Sequence, residues 1–179
     1  VQAPGARDEN GPQGLTAAIL GSGLGDIEPT AFTSEDVMAA TFNEELIYAV
    51  IDTNVIVSAL LSRNPDAATV KVFKAVSDGI ICPLFNQEII EEYMDVLCRD
   101  KFKLPICHIE SVVKKIQQLG IMAERVHSSE EFPDLDDIVF YEVALSKEDA
   151  YLVTGNTKHF PKSPIVVTPA EMMEIILAL

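Results

Sequence analysis

From residue 47 to the end of the chain, short β-branched runs alternate with segments of helical periodicity. The predicted strands are LIYAVID, IICP, MAERV, AYLVTG and SPIVVTP. The predicted helices cover residues 55–62, 66–77, 86–102, 105–119, 134–148 and 169–179. Short, uniformly apolar strands that alternate with helices pair in parallel and are covered on both faces. The sequence therefore predicts an α/β fold built on a parallel sheet.

The first 46 residues differ from the rest of the chain in composition. They contain eight of the 28 acidic residues, a single base, Arg7, and six of the nine glycines. We therefore expect an acidic, flexible, glycine-rich N-terminal extension over residues 1–46 and one domain over residues 47–179. The GSGLGD stretch of the extension has no convincing strand before it, so a flexible turn is favoured over a phosphate loop.

The charge and the cysteines narrow the class of protein. A net charge of −15 argues against a passive basic platform for nucleic acid, but not against an enzyme that meets phosphates through metal ions. No apolar run is long enough to span a membrane. Cys82, Cys98 and Cys107 are scattered, which favours buried thiols in a reducing cytoplasm. The three histidines are scattered as well, and we interpret them as packing or surface residues.

Polar side chains follow two of the predicted strands at the point where each strand ends. In VIDTN, Asp52 comes directly after a buried run, and Asn156 follows the run AYLVTG. Because the carboxyl ends of parallel strands meet at one edge of a sheet, where ligands bind, both side chains are expected at one rim.

Two predicted helices carry further carboxylates towards this rim. Glu92 has Ile89 three residues before it and Val96 four residues after it, so it is expected to press against the edge of the core. In the second helix Asp134 is expected to be the N-cap, with Asp136 and Asp137 in the first turn. The helix dipole favours each such acid by only ~0.3–1 kcal/mol, and three of them repel one another unless a cation is present.

Asp52, Glu92, Asp137 and Asn156 together form a ligand set that contains only oxygen atoms. Such a set selects Mg²⁺ or Mn²⁺ over zinc and suits phosphoryl chemistry. Four bases near the presumed rim are candidates for guiding a nucleic-acid backbone, although an ordinary solvated helix end is favoured for any single one of them. These bases are Arg99, Lys101, Lys103 and Lys158.

Five stretches of residues 47–179 resemble the PIN domain family of metal-dependent ribonucleases, and most of all its bacterial and archaeal toxins of toxin–antitoxin pairs. The stretches are VIDTNVIVSALLS, IICPLFNQEIIEEYMDVLCRDKF, DLDDIVFYEVAL, YLVTGNTKHFP and IVVTPAEMME, and they occur in the family's order. The DTN triplet alone is a weak signal, whereas the ordered set of five is strong.

The resemblance implies a Rossmann-like α/β/α sandwich, the PIN fold, with a parallel sheet of four to five strands and an acidic quartet around Mg²⁺ or Mn²⁺. Carried over, the metal-binding acids are Asp52, Glu92 and Asp137. The fourth acid of many members is Asn156 here, which removes one negative charge and is expected to weaken a second metal site. The supporting residues are Asn54, which shapes the turn, Asp134 and Asp136 as outer acids, and Thr154 as a nearby hydroxyl.

The implied function is a metal-dependent endoribonuclease that cleaves single-stranded RNA and acts as a toxin, with an antitoxin protein as partner. The alternative is a catalytically weak PIN-fold module held by a protein or RNA partner, which Asn156 and the net acidity favour. A different Rossmann-like enzyme with Asp52 as phosphate acceptor ranks last, because position 54 is Asn where a second Asp would be needed.

Two expectations concern the ends of the chain. An acidic extension tethered to the domain would be able to cover its active site, but a disordered tail is favoured. The apolar C-terminal segment EMMEIILAL suits a core helix or the interface of a homodimer, and the core is favoured.

Overall fold

A computed structural model describes residues 46–133 and 135–179 as an α/β structure with one five-stranded sheet. The strands are β1 (Ile47–Ile51), β2 (Ile81–Phe85), β3 (Ile121–Met122), β4 (Tyr151–Val153) and β5 (Val166–Val167). The helices are α1 (Thr53–Leu61), α2 (Ala68–Ser77), α3 (Gln87–Leu97), α4 (Ile106–Leu119), α5 (Ile138–Ala144) and α6 (Pro169–Leu177). All strand pairs are parallel, which confirms the predicted fold class.

The sheet is covered on both faces. All five residues of β2 are buried, although successive side chains of a strand point to opposite faces. The central strand β1 is buried at four of its five positions. The apolar sequence of these strands therefore follows from helices packed above and below them, as expected of a parallel sheet.

The strand order is β3-β2-β1-β4-β5. The chain leaves β1 towards β2 and β3, and later returns to the other side of β1 to form β4 and β5. The connections that follow β1 and β4 therefore diverge, and they leave a crevice at the carboxyl ends of these two neighbouring strands. In open parallel sheets this switch point is where ligands bind.

Two predicted element ends are wrong in the first half of the domain. The strand IICP does not close at Pro83 but continues to Phe85. A proline removes one donor from the ladder, and the ladder with β3 begins only after it, at Leu84. Helix α3 ends at Leu97 rather than at residue 102, because residues 98–101 are exposed and bury no apolar surface that would sustain a helix.

The predicted helix over residues 134–148 is also shorter in the structure, where α5 covers only Ile138–Ala144. Asp137 is its N-cap and makes no capping bond with its side chain, so Asp136 and Asp137 do not lie in the first turn as expected. Every residue from Val139 to Ala144 is buried, so packing rather than dipole or capping interactions holds this helix. Strand β3 overlaps the predicted MAERV only at Met122.

The length of the helices and the exposure of the cysteines bear on the predicted environment of the chain. Within residues 46–133 and 135–179, no helix combines the length and the apolarity needed to cross a membrane. Cys82 is buried, but Cys98 and Cys107 are exposed, so the expectation of three buried thiols is wrong. The predictions for the extension and for Asp134 fall outside the described residues.

Candidate active site at the carboxyl ends of β1 and β4

Asp52 lies at the switch point between β1 and β4, and both oxygens of its carboxylate accept hydrogen bonds. Its Oδ1 accepts a bond from the backbone N–H of Asn54 at 3.1 Å, so Asp52 caps helix α1. Its Oδ2 accepts from the hydroxyl of Thr154 and from Nδ2 of Asn54, both at 2.6 Å. Asp52 is only 5% exposed. The side chain is therefore held in one orientation by Asn54 at the start of α1 and by Thr154 directly after β4.

Asn54 joins the end of β1 to the end of β4. Its Oδ1 accepts the backbone N–H of Gly155 at 2.8 Å, a residue 101 positions further along the chain. Its Nδ2 donates to Asp52. Asn54 therefore does more than shape its own turn, the role predicted for it, because it also binds the segment that follows the neighbouring strand β4.

Gly155 has to be a glycine for lack of space. A Cβ atom at this position would lie 2.9 Å from Oδ1 of Asn54, closer than real Cβ contacts. The neighbouring Thr154 is fully buried, and its hydroxyl is used to hold Asp52. The geometry thus places Thr154 behind the carboxylate, where it orients Asp52.

Helix α3 is fixed to the same end of β1 by a buried tyrosine. The hydroxyl of Tyr93 donates a short hydrogen bond to the carbonyl oxygen of Ile51, the residue before Asp52. Burial, followed by the charge of Asp52, raises the pKa of Tyr93 far above its usual value, so it remains a donor. The half-buried Glu92 precedes Tyr93 in sequence, and this anchor therefore fixes the helix that carries Glu92.

Asp137 approaches the site from the start of α5 and has a partner that sequence reasoning did not identify. Its Oδ2 lies 2.8 Å from Nδ1 of His159, in the short 3₁₀ turn Thr157–His159 that follows β4. His159 does lie at the surface, with 46% of its side chain exposed, and its contact with Asp137 is an addition to that interpretation. Nothing local in the sequence indicates this contact, because 22 residues separate the two side chains.

The electrostatics link the three acids that were predicted to bind metal. Burial raises the pKa of Asp52, bonds from Thr154 and Asn54 oppose the rise, and the charge of Asp137 adds to it. Burial likewise raises the pKa of Glu92; Arg99 opposes this, while Asp95, Asp136 and Asp137 add to it. The charge of Asp137 therefore disfavours the charged forms of both Asp52 and Glu92, an arrangement that a bound cation would relieve.

The residues fit a hard divalent cation in chemistry but are not gathered into a finished coordination sphere. Their donors are oxygen atoms, the ligands that Mg²⁺ and Mn²⁺ prefer. Among the described residues, however, no three His, Cys, Asp or Glu side chains converge as a metal site would require. The hydroxyl of Thr53, the residue after Asp52, is buried and has no hydrogen-bond partner in this part of the chain. An unfilled hydrogen bond therefore remains beside the carboxylate.

The remaining predicted site residues lie at different depths. Asn156 is half-buried, and its backbone N–H donates to the Thr154 hydroxyl at 3.0 Å. Arg99 pairs with Asp95 at 2.9 Å and also acts electrostatically on Glu92, so it lies beside the site. Lys101 and Lys103 are exposed in the connection between α3 and α4, and no contact brings them to the carboxylates.

A guanidinium that sequence reasoning missed links the two helices that carry Glu92 and Asp137. Arg125 donates from Nε to Glu142 on α5 and from Nη1 to Glu88 on α3, both at 2.7 Å. Glu88 lies one turn before Glu92, and Glu142 lies five residues after Asp137. Glu142 stands within the apolar run IVFYEVAL, and this context is the signal that could have indicated its burial.

Comparison with curated proteins and with solved structures finds no match. A family model described as PIN domain matches residues 48–158, well over half of the chain. The chain belongs to the PIN domain family. The match begins in β1 and ends in the turn that contains His159, and it includes every predicted catalytic residue. Membership in this family of nucleases supports a phosphodiester-cleaving activity for this PIN domain.

Proposed function

We propose that this PIN domain is a metal-dependent endoribonuclease that cleaves single-stranded RNA, with Asp52, Glu92 and Asp137 as ligands of Mg²⁺ or Mn²⁺. One observation carries the proposal. A buried carboxylate, Asp52, is locked in place at the switch point of the sheet while the charge of a second acid, Asp137, acts on it. A fold gains little stability from this arrangement, because burial and the charge of Asp137 both oppose the ionised form of Asp52. A ligand with positive charge explains it.

Each side chain has a definable task in this proposal. Asp52 is the fixed ligand, because the helix cap and the hydroxyl of Thr154 determine its orientation. Glu92, on α3, and Asp137, at the start of α5, would complete the carboxylate ligands, and Asn156 would add a neutral oxygen. A bound divalent cation supplies charge neutralisation at the scissile phosphate and lowers the pKa of a coordinated water.

The test compares cleavage of a short single-stranded RNA by wild type, Asp52→Asn and Glu92→Gln in Mg²⁺, in Mn²⁺ and in EDTA. Asn at position 52 still caps α1, so the loss is expected to be electrostatic rather than structural. Both variants are expected to lose at least ~100-fold in rate, within the range for a preorganised charge in an active site. Glu91→Gln is the matched control, since Glu91 is the exposed neighbour of Glu92 and bonds to Gln87.

Wild-type cleavage that survives EDTA would exclude the metal-dependent mechanism. Absence of cleavage for several RNAs in both metals would instead favour a PIN-fold binding module held by a protein or RNA partner. The neutral Asn156 and the unconverged carboxylates are the observations that support this second function.

The cellular role in the proposal is that of a cytoplasmic toxin held in check by an antitoxin protein. It rests on the resemblance of the five motifs and on the nuclease chemistry proposed above. Induced expression in a bacterial host is expected to arrest growth, and Asp52→Asn is expected to abolish the arrest. Growth arrest that persists with Asp52→Asn would show that the toxicity does not depend on the candidate active site.

A further inference from the structure

A cavity of about 530 Å³ lies beside the candidate active site. Its walls are the segment after β4, residues 157–163, and the residues around the start of α6, Thr168 and Glu171. The turn Thr157–His159 joins the two regions, because His159 contacts Asp137 while Thr157 and Lys158 line the cavity. We name this cavity the lysine pocket, after Lys158 and Lys162, the two bases in its lining.

The side chains of the lysine pocket suit an anion. Lys158 and Lys162 are exposed, and neither ammonium group pairs with a carboxylate within residues 46–133 and 135–179. Lys71 and Lys74, in contrast, pair with Asp66 and Asp78. Hydroxyl groups of Thr157, Ser163 and Thr168 complete the polar lining.

Among the residues that the structure describes, one carboxylate lines the pocket, and both it and its hydrogen bond belong to the start of α6. An oxygen of Glu171 accepts the backbone N–H of Thr168 at 2.7 Å, within the capping box of α6. The two ammonium groups therefore leave the lining with a positive balance, in a chain whose overall charge is −15.

The ring in the lining argues against recognition of bases. Phe160 is only 5% exposed, so it presents no face on which a nucleobase could stack. A pocket with two lysines, three hydroxyls and no stacking surface binds phosphate and sugar, which carry no sequence information.

We propose that the lysine pocket binds backbone phosphates of the RNA strand next to the scissile bond, with Lys158 and Lys162 as the phosphate-contacting residues. The inference rests on the proposed nuclease function and adds to it a direction for the bound strand. From the carboxylates the strand runs past the turn Thr157–His159 towards the start of α6. The binding is independent of the base sequence.

The experiment measures binding separately from cleavage. Fluorescence anisotropy of a labelled single-stranded RNA is recorded in EDTA at several salt concentrations for the full chain and for Lys158→Ala/Lys162→Ala. The double variant is expected to bind about tenfold more weakly at low salt. Its slope of log K against log salt should fall by about 1.4, since each lost contact to a single strand contributes ~0.7. Lys114→Ala, an exposed lysine on α4, is the control and should change neither quantity.

Two further measurements test whether the ligand is the RNA backbone rather than a base or a small phosphate compound. Uridine-rich and adenosine-rich RNAs should lose the same factor in the double variant, because the pocket does not read bases. Millimolar inorganic phosphate or a mononucleotide should displace the RNA only weakly. The proposal would be overturned if either competitor bound as tightly as RNA and depended on the two lysines for its binding.

The kinetic readout separates this proposal from the function on which it rests. In the presence of metal the double variant should raise KM with little change in kcat, as expected when binding is lost equally in ground and transition states. Unchanged binding and unchanged salt slope with normal cleavage would reject the lysine pocket and leave the nuclease assignment intact. If the wild type neither bound nor cleaved RNA, both would be rejected.

Discussion

Asp52 has two functions at the level of a single residue. It caps helix α1 through Oδ1, and its buried charge is the centre of the candidate site. A cap alone would be served equally well by Asn, Ser or Thr, none of which carries a charge. The cost of keeping an ionised group that is 5% exposed is therefore evidence for a function beyond capping.

Replacement of Asp52 by Asn or Ala should separate these two functions. Without metal, Asp52→Asn is expected to melt near the wild-type temperature. It removes a buried charge whose pKa is raised by burial, but its amide nitrogen cannot accept the bond that Oδ2 receives from Nδ2 of Asn54. Asp52→Ala should lose about 1 kcal/mol with the cap. Thermal unfolding monitored by circular dichroism measures both differences.

Added Mg²⁺ or Mn²⁺ provides the second part of this comparison. A ligand at 100 times its dissociation constant stabilises a folded protein by ~2.7 kcal/mol, so the wild type should melt at a higher temperature with metal. Asp52→Asn is expected to lose most of this shift. An equal shift in both proteins would place the metal elsewhere.

At the level of elements, the spacing between α3 and α5 depends on Arg125. The side chain of Glu142 is 4% exposed, and its second oxygen accepts the backbone N–H of Ser128 at 2.8 Å. This bond draws the segment after β3 onto α5, while the bond to Glu88 extends the contact to α3. A single network therefore orients the helices on which Glu92 and Asp137 depend.

Arg125→Met should destabilise the domain by about 1–3 kcal/mol, because it leaves the buried Glu142 without its charged partner. The double variant Arg125→Met/Glu142→Met should recover part of this loss, since both partners are then apolar. Lys71→Met removes an exposed ion pair with Asp66 and should cost less than ~1 kcal/mol. Urea unfolding provides these values, and equal losses for Arg125→Met and Lys71→Met would contradict the role of the network.

At the scale of the whole molecule, the carboxylates act in opposite directions on the stability of the fold. Burial alone would raise the pKa of Glu142, but the Ser128 N–H and the Arg125 guanidinium outweigh it and hold the pKa below its usual value. The pKa values of Asp52 and Glu92 are raised instead, first of all by burial. Protonation at low pH therefore removes unfavourable charge from Asp52 and Glu92, whereas it weakens the hydrogen bonds and ion pair of Glu142.

The dependence of stability on pH should reveal this division. The contribution of Glu142 is present above its unfolded pKa of about 4.3 and is lost as the pH falls through its lower folded pKa. Glu142→Gln should therefore start from a lower melting temperature at pH 7 and lose less of it below about pH 4.3 than the wild type. Parallel curves for the two proteins would show that Glu142 does not govern acid unfolding.

The sequence determined the features that depend on local pattern. Alternating strands and helices indicated the parallel sheet, and the positions of Asp52 and Asn156 after two strands placed both at one edge. The N-cap of α3 is equally local, because the side chain of Asn86 accepts the backbone N–H of Ile89 three residues later. Helix ends were predicted poorly, as at Leu97 and Ile138, because burial rather than helical propensity sets where they fall.

Only the tertiary structure decided which distant side chains meet. The contacts of Asn54 with Gly155, of Asp137 with His159 and of Arg125 with Glu142 join residues 101, 22 and 17 positions apart. No periodicity encodes such pairs, because they depend on which strands become neighbours and how the connecting segments return. The sequence by itself therefore determined the sheet and the edge at which the candidate site lies. The orientation of Asp52, the link between its supporting helices and the lysine pocket beside it arise from the packing of the whole domain.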